Sequence, residues 1–189
     1  MIFDWDDQCD EWNALKYLDE LKQINQKFKA TLFVIPKKTS MGLWMKMAKR
    51  SWLELVPHGY DHHDNYECSE WSADKMNEYI NGLANLNMYL VKGFKAPGWQ
   101  ISDGCYEALL KRGYWVADQP YNNDRRPKEL PFYAVGGDSW HGHTWNCVGN
   151  GIEETFEQLK KLVEETHVFK FVSEEIRANF PDYTYTKEK

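Results

Sequence analysis

Short apolar runs alternate along the chain with stretches whose apolar positions recur every three or four residues, which predicts strands alternating with helices. Residues 1–5, 30–35 (ATLFVI), 53–56, 91–96, 114–117, 132–135 and 168–172 read as strands, and Pro36, Pro57 and Pro97 follow three of them as stops. Between them, Trp12, Leu15, Leu18, Leu21, Ile24 and Phe28 predict a helix over 12–28. A short helix is expected over 41–49. Ser72 is placed to cap a helix whose apolar face is Met76, Tyr79, Ile80, Leu83 and Leu86. Ser102 is placed to cap another over 103–112, closed by Gly113. Ile152, Phe156, Leu159 and Val163 mark the last long helix. The polar, Pro-containing segment 119–130 reads as a surface loop, and the tail beyond Pro181 as frayed.

Six or seven strands separated by helices imply an α/β architecture with a parallel barrel or open parallel sheet. The chain has 189 residues, which suits a single domain spanning 1–189. A complete (β/α)8 barrel takes about 250 residues. The expectation is therefore a distorted or incomplete (β/α) barrel with about six to seven parallel strands. In such folds the working residues sit at the carboxyl ends of the strands.

The polar clusters obey that demand. Asp4, Asp6 and Asp7 close the first strand, and His58, His62 and His63 follow the third. Lys95 ends the fourth, and His141 and His143 follow the strand after the long loop. Five of the six histidines thus fall in two tight groups. His58 and His62, four apart, are able to converge on one metal ion; with a carboxylate as third ligand, a position stays open for water. A polar loop with incidental histidines is the plainer alternative, and the acidic cluster at another strand end argues against it. Three carboxylates within four residues repel one another unless they share a cation or a proton. One of them suits metal ligation, with its neighbour as general base on a metal-bound water.

Composition narrows the function classes. Net charge is −6, with a pI near 5.5, which offers phosphates no basic face and excludes a typical nucleic-acid binder. No stretch approaches the ~20 apolar residues of a membrane span. The opening residues carry neither a basic n-region nor an apolar h-region, so a cytoplasmic location is expected. Cys9, Cys68, Cys105 and Cys147 form no CxxC pair and read as free thiols, Cys105 and Cys147 as core residues.

Taken in order, FDWDD, ATLFVIP, PHGYDHH, GFKAPGW and HGHTW resemble the polysaccharide deacetylases of the NodB-homology type (carbohydrate esterase family four) over residues 3–145, and FKFVSEE extends the likeness. The resemblance implies a metal-dependent hydrolase that removes acetyl from an N-acetylated sugar. It implies a divalent metal on Asp7, His58 and His62, for which the ligand types suit zinc. Asp6 would be the general base, with Asp4 and Asp6 as base and ligand in an alternative alignment. Gln8 stands where the family has glycine, and Gly59 where a hydroxyl residue is common. Lys95 stands where an arginine holds the catalytic aspartate, keeping the charge but losing the planar fork. Trp99 would wall the groove. His143 would protonate the leaving amine, with His141 as the alternative, on the expectation that strand alternation lets one of the two face the cleft. Asp118 is a candidate to orient that histidine, and His63 a neighbour of the ligands. Expected partners are N-acetylated carbohydrates, with intracellular sugar nucleotides, glycolipid precursors or small glycans ahead of wall polymer. Competing readings are a related C–N amide hydrolase on a non-sugar substrate and an inert carbohydrate-binding homologue.

Overall fold

The computed structural model describes residues 1–136 and 139–183. Seven parallel strands form the framework: β1 (Ile2–Gln8), β2 (Ala30–Val34), β3 (Leu53–Pro57), β4 (Gly93–Lys95), β5 (Trp115–Asp118), β6 (Phe132–Ala134) and β7 (Ser139–His143). They pair as β3-β2-β1-β7 and as β4-β5-β6. The two sheets meet where His58 bridges Lys95 just past β3 and where Val91 N donates to Leu55 O at 3.0 Å. The strands therefore run in the order β7-β1-β2-β3-β4-β5-β6. Among the described residues no ladder joins β6 to β7, which are neighbours in sequence yet stand at the two ends of this row. The barrel is incomplete, as the chain length implies.

β1 lies at the centre of its sheet and is buried throughout. Its outward side chains Phe3 and Trp5 pack with Leu18, Leu21 and Phe28 under α1 (Leu15–Ile24). The helix is shorter than the 12–28 pattern. Gln8 Oε1 accepts from Ala14 N at 3.2 Å and Asn13 Oδ1 from Leu15 N at 3.1 Å, which fixes the chain before its first turn. The buried Gln8 thus has a structural task in the position where glycine is usual. Helices α2 (Met41–Ala48), α3 (Ala73–Gly82) and α4 (Asp103–Lys111) start on Ser40, Ser72 and Ser102, whose hydroxyls accept from Leu43, Lys75 and Cys105 N–H. α5 (Phe156–Glu165) buries Phe156, Leu159 and Val163.

Three expectations need correction. Residues 168–172 form no strand; only Lys170 bridges Ile2, and from Val172 the chain is helical in α6 (Val172–Asn179). A short apolar run does not by itself separate strand from helix, and here Glu174 caps the helix start by accepting from Phe171 N at 2.8 Å. The 119–130 loop is not simply surface, since Asn122, Arg126 and Leu130 are buried. Cys147 is only half-buried, unlike Cys105. Of the tail expected to fray, residues 184–189 lie outside the described residues, while the Tyr183 hydroxyl donates to Gly113 O.

Glu54 on β3 ties α6 to the barrel. Its Oε1 accepts from Thr31 Oγ1 at 3.0 Å and Ser173 N at 3.1 Å. Burial pushes its carboxyl above the ordinary glutamate value, against the downward pull of the Ser173 and Thr31 hydrogen bonds. The folded chain then binds this proton more tightly than the unfolded one. The associated stability is complete below the unfolded value of about 4.3 and is lost as pH rises through the folded value. Glu54→Gln keeps the acceptor oxygen and removes the charge. It is expected to raise the melting temperature at pH 7.5, by about 2–4 °C for each kcal/mol relieved, and to change nothing at pH 3.5. Melts at the two pH values check the sign.

Candidate active site

The candidate residues converge at the carboxyl ends of β1, β3, β4 and β7. Simple alternation would put Asp4 and Asp6 on one face of β1 and Asp7 on the other. The register slips between Trp5 and Gln8, and Asp7 has φ 69°, an uncommon conformation for a side-chain-bearing residue. This bulge turns the Asp7 carboxylate toward the imidazoles that Asp6 also faces. Asp7 Oδ1 lies 3.4 Å from His58 Nε2 and 3.2 Å from His62 Nε2. Asp6 Oδ2 is 3.8 Å from His58 Nε2.

Each imidazole is held from behind. His58 Nδ1 lies 3.1 Å from the Lys95 carbonyl, so Nδ1–H donates there and the Nε2 lone pair faces Asp7. His62 sits on a tight loop at φ 47°, entered through Gly59 at φ 56°. A side chain at Gly59 would bring a Cβ within 2.7 Å of Pro97 Cγ, which accounts for glycine where a hydroxyl residue is common. The Glu67 carboxylate gathers the loop by accepting from the N–H groups of Tyr60, Asp61 and His62 at 2.9–3.1 Å. Glu67 carried no sequence signal, because its role depends on the turn closing over it.

Lys95 is 1% exposed, with Nζ 2.6 Å from Asp6 Oδ1 and 3.9 Å from the centre of the Trp99 ring. Burial alone would raise the Asp6 carboxyl, but Lys95, His58 and His141 hold it well below the ordinary carboxylate range. Asp7 is lowered too, burial being outweighed by the facing His58 imidazole. For His62, burial and the neighbouring His58 press the imidazole toward its neutral form.

β7 supplies two more imidazoles. His141 Nδ1 is 2.5 Å from Asp4 Oδ1, and its Nε2 is 3.7 Å from Asp6 Oδ2. His143 Nδ1 is 3.1 Å from Asn150 Oδ1, and its Nε2 is 3.9 Å from Asp7 Oδ2. The expectation that one of them turns away is therefore corrected: residues two apart on a strand share a face. Asp118 does not reach either histidine. It accepts from Tyr106 Oη, Arg126 Nη1 and Asn122 Nδ2 at 2.6–2.8 Å. His63 is exposed and pairs with Asp64 at 3.2 Å. The Trp99 ring lies 5.9 Å from that of His141. Trp145, part of the HGHTW motif but given no role from sequence, donates its indole N–H to Asp7 Oδ2 at 2.8 Å.

Two groups here have metal-ligand geometry: Asp7 with His58 and His62, and Asp6 with His141 and His143. Only in the first does a buried oxygen, Asp7 Oδ1, lack a hydrogen-bond partner. A buried carboxylate oxygen without a donor is costly unless a cation meets it. The donor set of Asp7, His58 and His62 therefore fits a divalent ion with an open position. Asp6 is already paired with Lys95.

This geometry stands beside that of known proteins. The Xyl-CE4 domain of a multidomain xylanase, from the hindgut metagenome of Trinervitermes trinervoides, superposes with a TM-score of 0.65 at 18% identity, covering 100% of this chain and 94% of that one. A family 4 acetyl xylan esterase from Clostridium thermocellum, in complex with a cobalt ion, gives 0.65 at 15% identity over 94% and 90%. The chain has the family 4 deacetylase fold. In sequence it is 29% identical over 97 residues to a peptidoglycan deacetylase of Helicobacter pylori, a match covering 51% of this chain and 32% of the relative. The chain thus matches about a third of that protein's length. No protein-family model matches the chain. The resemblance to NodB-homology polysaccharide deacetylases is borne out, and with it the expected incomplete barrel. Among the described residues of this deacetylase fold, no helix is long and apolar enough to cross a membrane.

Proposed function

We propose that this chain is a metal-dependent hydrolase that removes the acetyl group from an N-acetylated carbohydrate. The observation that carries the reading is the partnerless Asp7 Oδ1, buried and faced by two imidazole Nε2 atoms at 3.4 and 3.2 Å. Asp7, His58 and His62 would hold the ion, for which the ligand types suit zinc. When bound, the metal polarises the acetyl carbonyl and lowers the pKa of a water toward about 7. The chain's own residues do the rest. Lys95 takes Asp6 Oδ1, which leaves Oδ2 toward the pocket as acceptor for the proton of the attacking water. Trp145 takes Asp7 Oδ2 and so directs Oδ1 to the metal position. An imidazole on β7 returns a proton to the amine. Trp99 walls the pocket with a flat ring on which a sugar face stacks.

Amide rather than ester hydrolysis is supported by the peptidoglycan deacetylase relative; the acetyl xylan esterase neighbour favours an ester. Acetate release from N-acetylglucosamine oligomers and from acetylated xylan, with and without chelation, tests the reading. Zinc-restored release from the N-acetyl substrate is the expected result. Release unaffected by chelation, or binding of the oligomers without turnover in zinc-loaded protein, would refute it.

Glu67→Ala frees three N–H groups of the His62 loop and is expected to weaken zinc binding by about 10–100-fold. Calorimetric zinc titration of the folded variant measures this without recourse to activity.

A further inference from the structure

We infer that Asp6, His141 and His143 form a second, weaker site for a divalent cation such as zinc, beside the Asp7 site, and that filling it halts hydrolysis; the halting rests on the hydrolase reading above. One ligand atom from each of the three lies within 4.8 Å of the others, and the three come from the ends of the paired strands β1 and β7. Asp6 is buried and the two histidines are half-buried.

The orientation of each donor carries the argument. A histidine that ligates through one ring nitrogen is almost always held at the other by a hydrogen-bond acceptor. His58 in the first site shows the pattern, with the Lys95 carbonyl 3.1 Å from Nδ1. Both β7 histidines repeat it. His141 Nδ1 lies 2.5 Å from Asp4 Oδ1, and His143 Nδ1 lies 3.1 Å from Asn150 Oδ1. Asp4 is fully buried and is itself fixed by the Tyr133 hydroxyl, which donates to Oδ2 at 2.9 Å. An acceptor on Nδ1 keeps the ring hydrogen there and makes Nε2 the atom for a cation. His141 Nε2 is 3.7 Å from Asp6 Oδ2, and His143 Nε2 is 3.9 Å from Asp7 Oδ2. Trp145 already takes Asp7 Oδ2 at 2.8 Å, so Asp6 is the carboxylate for both imidazoles. Lys95 takes Asp6 Oδ1 at 2.6 Å, which leaves Oδ2 for the ion.

Spacing ranks the two sites. Ligand atoms around a tetrahedral zinc stand roughly 3.3–3.6 Å apart. In the first site, Asp7 Oδ1 is already 3.4 and 3.2 Å from its imidazoles. The second site is wider, at 3.7 Å from Asp6 Oδ2 to His141 Nε2, and must contract to close on an ion. Its carboxylate also faces the Lys95 ammonium, and an ion on Asp7 repels a second one close by. The second site therefore fills after the first. A cation there takes Asp6 Oδ2, the acceptor for the water's proton, and both β7 imidazoles, one of which serves the amine. Excess metal thus removes the groups that move protons and leaves the Asp7 site intact.

The experiment titrates zinc chloride into metal-free protein by calorimetry and follows acetate release from an N-acetylglucosamine oligomer over the same zinc range. The wild type is expected to bind two ions in separable steps. His141→Gln and His143→Gln should keep the first step, which also shows that they fold, and lose the second. His62→Gln should lose the tight step and keep the weaker one. Asp4→Asn, which removes no ligand, should weaken the second step by about 10–100-fold and leave the first unchanged. Acetate release should rise through the first step and fall by about 10²-fold or more through the second. In Asp4→Asn that fall should move to zinc concentrations about 10–100-fold higher, a shift that a merely structural role of Asp4 does not produce. A single ion bound far above the first midpoint, or a second step unmoved by the changes at Asp4, His141 and His143, overturns the site. Two steps with acetate release undiminished through the second overturn the halting role. Two steps with the expected variant pattern, but no acetate release at any zinc level, uphold the site and refute the hydrolase reading, and the halting role falls with that reading.

Discussion

Asp6→Asn is expected to lower kcat by about 10²–10⁴-fold with KM nearly unchanged, the range for loss of a general base. Asparagine matches the shape of the carboxylate, and its Oδ1 is still able to accept from Lys95, now 2.6 Å from Asp6 Oδ1. The amide has no basic oxygen for the water's proton, so binding persists and chemistry stops. Steady-state kinetics on an N-acetylglucosamine oligomer measures the effect. Affinity for the first zinc ion should stay close to that of the wild type, because Asp7, His58 and His62 are untouched. Activity within a few-fold of wild type would remove Asp6 from the base role and return attention to Asp4.

The second large effect concerns stability. Lys95 lies almost wholly buried, against Asp6 Oδ1 and over the rings of Trp99 at 3.9 Å and Phe33 at 4.7 Å. Lys95→Met keeps the apolar stem between those rings but strands the buried Asp6 charge. Removing one partner of a buried pair costs about 3–5 kcal/mol, which for a chain of this size lowers the melting temperature by roughly 6–20 °C. Much of that cost is the unpaired carboxylate rather than lost packing. The Asp6→Asn, Lys95→Met double variant should therefore be more stable than Lys95→Met alone, with a coupling energy readable from a urea-denaturation cycle. Simple additivity would show that the pair carries no mutual energy. Lys95→Arg restores the charge but must seat a planar fork between two rings, and is expected to recover stability only in part.

Both effects concern residues that the sequence already singled out. The strand runs at 30–35 and 53–56 read correctly because both faces of a parallel sheet are covered, leaving unbroken apolar runs. The serine caps at Ser72 and Ser102 also read correctly, because a hydroxyl before an apolar-periodic segment acts locally. The 168–172 run misled because five apolar-rich residues satisfy strand and helix alike; Glu174 decided between them. The long helix over 12–28 shrank because Gln8 and Asn13 anchor its start, a contact between segments that periodicity does not register.

Within the site, the sequence by itself determined the kinds of group available and their spacing: acids after one apolar strand, imidazoles after another, a lysine before Pro97. Those choices are written in residue type and strand order, and parallel strands bring their carboxyl ends to one rim. The tertiary structure decided which oxygen faces which nitrogen. A bulge at Asp7 reverses the alternation of β1, Glu67 closes the His62 loop, Asp4 meets His141 from the neighbouring strand, and Asp118 is drawn away to Arg126. Each depends on a backbone angle or on how loops and strands close around one another, and hydrogen-bond geometry within a few tenths of an ångström is set only when the strands are packed together.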